Sequence, residues 1–190
     1  MPHRRILIPV AVVLVVALGI GLYLFQPWRL LTVRETHEAL LVPASTSTST
    51  SASASASASA STSVSTSAQA PVVVAETPKE VAGGEWRSLE HATTGKASLV
   101  KLPNAGYSVQ FSSLATSDGP DLHVYLSPHP AGSPEEKFGE GFTSLGKLKG
   151  NRGDQVYEIP AGVDVSAIRS VVIWCKRFSA GFAVAPLEQV

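Results

Sequence analysis

The chain has 190 residues, and its 15 Lys and Arg balance its 15 Asp and Glu, so it carries no formal charge and no basic stripe that would make nucleic acid a partner. One cysteine, Cys175, excludes an internal disulfide, and no Cys-x-x-Cys-His sequence is present to attach a c-type haem. The only methionine is Met1, which removes Met/His haem ligation from everything downstream.

Residues 1–5 form a short flank ending in Arg4-Arg5. Ile6 to Phe25 follows without a charge, and at about 1.5 Å per residue it is long enough to cross a hydrocarbon core of about 30 Å. Pro9 falls in the first turn, where a missing N–H costs little, and Tyr23 and Trp28 near the far end suit an interfacial belt. The pattern predicts a single-pass anchor with a cytoplasmic N-terminus. Gln26-Pro27-Trp28-Arg29 lacks the small residues of a signal-peptidase site, and no cysteine ends the apolar stretch as a bacterial lipoprotein requires.

Residues 26–43 read as a juxtamembrane segment whose notable polar cluster is Glu35-Thr36-His37-Glu38, too few ligands for a metal site. Residues 44–82 read as a disordered linker, almost wholly Ser, Thr and Ala up to Ala70. Its alternation Ser51-Ala52-Ser53-Ala54 mimics a strand without the apolar area to offset the entropy of ordering. As a flexible coil that tether reaches roughly 25–30 Å, and its composition also suits an O-glycosylated stalk.

Residues 83–187 have the composition of one small globular domain, with residues 188–190 as a tail. Short runs rich in β-formers, separated by turn residues, predict an all-β sandwich or barrel. The expected strands are 85–91, 97–102, 107–114, 122–126, 142–148, 155–159, 171–175 and 178–185, with a helical turn at 165–168 and a loop from Ser127 to Gly141. Tyr107, Val109 and Phe111 alternate with Ser108, Gln110 and Ser112, as in a half-buried strand. On a regular strand Val171, Ile173 and Cys175 share one face, with Val172, Trp174 and Lys176 on the other.

Cys175 therefore has two readings from its neighbours: a small buried hydrophobe continuing an apolar face, or a thiol activated by the cations of Lys176-Arg177. No spacing places two of His91, His123 and His129 on a common metal ion. A non-covalently held haem would have to take its axial ligand from Cys175, His91, His123 or His129. No Gly-x-Ser-x-Gly elbow is present, and Asp118, Asp121, Asp154 and Asp164 lack calcium-loop spacing. No set of acid, base and nucleophile can be assembled for a stand-alone catalyst.

The succession Thr94-Gly95, Asp118-Gly119-Pro120-Asp121-Leu122-His123-Val124-Tyr125-Leu126-Ser127, Leu145-Gly146-Lys147-Leu148-Lys149-Gly150, Gly153 to Pro160, Val171 to Cys175 and Phe178 to Leu187 resembles the electron-transfer DM13 domain. That resemblance implies a β-sandwich-like module outside the cytoplasm, taking part in electron transfer or oxidative modification at cell surfaces. It implies Cys175 as the central residue, either as a free redox thiol or as the holder of a group such as haem. Two functions are consistent with the chain: a membrane-tethered redox module centred on Cys175 with a cell-surface or redox partner, or a non-enzymatic binding sandwich in which Cys175 only packs.

Overall fold

The computed structural model describes residues 13–23, 32–43 and 77–190. Residues 13–23 form an α-helix, α1. Among the described residues no helix is long and apolar enough to cross a membrane, so the span expected over residues 6–25 is not met by α1. The rest of that span, the flank 1–5 and linker residues 44–76 lie outside the described residues.

The other described residues contain eleven strands: β1 (Glu35–His37), β2 (Lys79–Glu85), β3 (Arg87–Ser88), β4 (Thr94–Lys101), β5 (Tyr107–Ala115), β6 (Leu122–Ser127), β7 (Thr143–Lys147), β8 (Arg152–Glu158), β9 (Ser170–Cys175), β10 (Ala180–Pro186) and β11 (Glu188–Gln189). They form a β-rich domain of two sheets, in the orders β1-β8-β5-β4-β2-β11 and β3-β10-β9-β6-β7. Every pairing is antiparallel except that of β1 with β8.

The core lies between the sheets. Ala97, Leu99, Val109 and Phe111 come from the first sheet and Val124, Leu126, Val171, Ile173, Ala183 and Ala185 from the second, all nearly free of water contact. The alternation along β5 puts Val109 and Phe111 inward and Gln110 outward, as its sequence predicts. Strict alternation would turn Leu114 outward. A bulge at Ser112-Ser113 opposite Gly95 resets the phase, with Ser113 at φ 51° and Gly95 at φ 108°, and Leu114 returns to the core. A Cβ on Gly95 would meet the Ser113 carbonyl oxygen at 2.6 Å, so only glycine permits this approach.

The strand expected at 85–91 is instead split between sheets. β2 ends the first sheet's pairing at Glu85, Trp86 turns inward and packs edge-on against Phe111 at 5.0 Å, and β3 joins the second sheet. Residues 79–82, expected as linker, already lie in β2. Of the loop expected from Ser127 to Gly141, Ser127 ends β6 and the remainder folds over the outer face of the second sheet. Its 3-10 turn Glu135–Gly139 inserts Phe138 against Tyr125, Val172, Trp174 and Val184, forming a second apolar cluster. The Glu135 carboxylate pins that cover by accepting from the Gly181 amide at 2.6 Å.

Candidate functional site

Cys175 ends β9, the most apolar strand of the domain, and is followed by a turn over residues 176–179 in which Lys176 and Arg177 are exposed. Its neighbours across the sheet are Leu122 on β6 and Ala180 on β10. The thiol is free and 0% exposed, within the core cluster that also holds Val171 and Ile173, while Val172 and Trp174 face the outer cluster. The expected division of faces therefore holds. The cations beside Cys175 in sequence, Lys176 and Arg177, lie on the exposed turn.

His123 is in register with Trp174, one residue from the Leu122 and Cys175 pair, so it stands on the opposite face of the same sheet. Its Nε2 lies 3.1 Å from Asp121 Oδ1, with the side chain 15% exposed. His91 is at the other end of a different connection and stacks on Phe182, ring centroids 3.8 Å apart. His129 lies in the cover segment, its carbonyl accepting from Ser170 Oγ at 2.7 Å. The four candidate axial ligands do not converge. With the thiol sealed inside a packed core, His123 across the sheet and His91 stacked on Phe182, these residues do not fit a haem. Among the described residues no three of His, Cys, Asp and Glu gather into a metal-binding group.

An aromatic layer, not legible as a unit in the sequence, covers the sheet behind Cys175. Tyr125 stacks on Phe142 at 3.8 Å and 8°, with Trp174 at 6.3 Å and His123 at 6.2 Å. Phe142 reaches the surface, 37% exposed. Burial pushes the Tyr125 phenol above its ordinary pKa, and charge on Asp121 or Cys175 would push it further, so it stays protonated at neutral pH. The signal that could have found this layer is the register of β6 against β9, which the sequence does not contain. Tyr157, on the first sheet, is likewise raised by burial. Its hydroxyl donates to Gln155 Oε1 at 2.7 Å and accepts from the Lys149 amide at 2.9 Å, so it acts as a structural tie.

No curated protein and no solved structure matches the chain. The family profile described as Electron transfer DM13 matches residues 85–187, which takes in Cys175, the Asp118 to Ser127 motif, the whole second sheet and strands β4, β5 and β8 of the first. Since that match spans more than half of the chain, the protein belongs to the DM13 electron-transfer family.

Proposed function

We propose that the chain is a membrane-tethered, extracytoplasmic redox module whose reacting group is the Cys175 thiol. The observation that carries this reading is that the electron-transfer family match includes the one cysteine of the chain, placed at the last strand position before an exposed turn. Fraying of the turn 176–179 is the smallest opening that brings the sulfur to water, since Cys175 and Ala180 close the β9–β10 hairpin. Once exposed, the thiol gives its proton to solvent and the thiolate attacks a partner's disulfide. A sulfur–sulfur bond forms to one partner sulfur while the other leaves as thiolate. The chain has no second cysteine, so the resolving thiol belongs to the partner. The uncharged stretch Ile6 to Phe25 supports the anchor, with the N-terminus cytoplasmic.

A second reading is favoured by one observation: Cys175 is fully buried in a continuous apolar face with Val171 and Ile173. On it the domain is a cell-surface binding sandwich and the thiol is packing. Reacting the native full chain with a small aromatic disulfide, followed by intact mass, separates the two. The redox reading expects complete single modification on a timescale of minutes to an hour. A native thiol that stays unmodified while the denatured chain reacts at once leaves the packing reading in place.

A further inference from the structure

Residues 32–43 lie between the apolar N-terminal stretch and the Ser/Thr/Ala run, where a spacer would be expected to pass freely. They are instead held along their length by side chains far away in sequence. Asn151, 3% exposed, accepts from the Arg34 amide at 2.6 Å and donates to the Thr32 carbonyl at 3.2 Å. Asp118, 1% exposed, takes the Arg34 guanidinium at 2.7 Å. The strand β1 then pairs in parallel with β8, and the Glu38 amide donates to the Asp154 carbonyl at 3.1 Å.

Beyond β1 the segment turns across the outer face of the first sheet. Glu38 accepts from the Val156 amide at 2.7 Å and from Lys149 Nζ at 2.8 Å through each oxygen. Gln110, on β5, uses both ends of its amide. Oε1 accepts from the Leu41 and Val42 amides at 3.0 and 3.1 Å, and Nε2 donates to the Val42 carbonyl at 2.8 Å. A buried glutamine on β5 and a buried asparagine and aspartate in the turns before β8 and β6 each hold the segment, Asn151 also donating to the Thr116 carbonyl at 3.1 Å, and together they form a built receptor for it.

We infer that residues 32–43 are the N-terminal strap of the folded domain, and that the Ser/Thr/Ala run is a closed excursion from it, not the tether that carries it. The strap is last held at Val42, by Gln110 of β5, and the chain is next in the sheet at Lys79 of β2. Those strands are two places apart, on the order of 10–15 Å, which a chain of that length bridges without extension. The connection between α1 and the domain is then residues 24–31 alone, at most about 30 Å when fully extended. The inference stands on hydrogen bonds and topology, and does not rest on the role of Cys175 or on the anchor.

The test uses the full chain, tagged at its N-terminus, with a protease recognition sequence written over residues 55–60. After complete cleavage, capture on the tag asks whether residues 77–190 remain with the N-terminal piece. Retention is expected, with release at least about tenfold faster in the Glu38→Ala and Gln110→Ala chains, each of which removes several strap contacts. Release from the unaltered chain as fast as from both variants overturns the inference. Should Gln110→Ala fail to fold, hydrogen exchange in the uncut Glu38→Ala chain decides instead. Faster exchange at the Leu41, Val42 and Arg152 amides than in the unaltered chain supports the strap, and unchanged rates overturn it.

Discussion

Cys175 and Gln110 are both sealed from water, for opposite reasons: the thiol by apolar neighbours in the core, the amide by partners that use its donor and acceptor. Replacing the sulfur with a hydroxyl places a polar group among apolar side chains, so Cys175→Ser is expected to cost about 1–3 kcal/mol. Cys175→Ala, which leaves only a small void, is expected to cost less than the serine variant. Urea midpoints of the two variants check the order, and an alanine variant that is the less stable contradicts the packing described for β9. Phe111, touched by Trp86 at 5.0 Å and Tyr157 at 5.2 Å, is the residue whose truncation to alanine is expected to cost most, about 3–5 kcal/mol by the same measurement. The alternation of Val171 to Lys176 made the face of Cys175 readable from sequence. Its burial was not readable, because Lys176 and Arg177 mark the end of the strand and look the same on paper as cations placed to activate a thiol.

The strands with apolar alternation, β5, β6 and β9, could be located from their own residues, while β2 and the strap could not. β2 reads Lys-Glu-Val-Ala-Gly-Gly-Glu, with almost no β-forming side chains. It pairs because its glycines let other backbone approach: a Cβ on Gly84 would meet the Pro186 carbonyl oxygen at 2.6 Å. The strap is equally silent, since its hold comes from polar groups on β5, β8 and the turns before β6 and β8. Gly153, at φ 94°, faces the Thr36 carbonyl where any Cβ would collide, so Gly153→Ala is expected to detach β1 while leaving the rest of the first sheet paired. Loss of exchange protection at the Glu38, Leu41 and Val42 amides, with the β4–β5 amides unchanged, is the signature.

The strap should also respond to acid. Burial works to raise the Glu38 carboxyl, but the hydrogen bond and charge of Lys149 and the Val156 amide outweigh it and hold the pKa below the ordinary 4.5. A carboxylate depressed on attachment contributes binding that is complete above 4.5 and is lost as pH falls through the lower attached value. Protection of Leu41 and Val42 is therefore expected to decline below pH 4.5 and not between 5 and 8. Glu158 and Tyr157 line the same cleft, so the Glu38→Gln chain, in which this decline should disappear, isolates the Glu38 contribution.

At the scale of the whole molecule, β1 pairs with β8 and β2 pairs with both β4 and β11, so residues 35–37 and 188–189 are edge strands of one sheet. A chain beginning at residue 77 is expected to melt below one beginning at residue 32, by about 5 °C or more for the loss of one or two kcal/mol of strap contacts. Equal melting temperatures would show that the strap contributes nothing to stability. The two-sheet β class was legible in the sequence because turn signals and alternation recur along residues 93–185. The order of the strands was not, since it depends on pairings between distant segments that no local pattern encodes.

Among the described residues, the outermost strands of both sheets are short. β3 and β11 have two residues, β1 has three and β7 has five, and Arg87, Glu188, Glu35 and Lys147 place charge on all of them. A long bare edge is what lets one β protein extend its sheet into the next, and short, charged outermost strands work against it. Strand-to-strand addition between copies is thus disfavoured at these four strands.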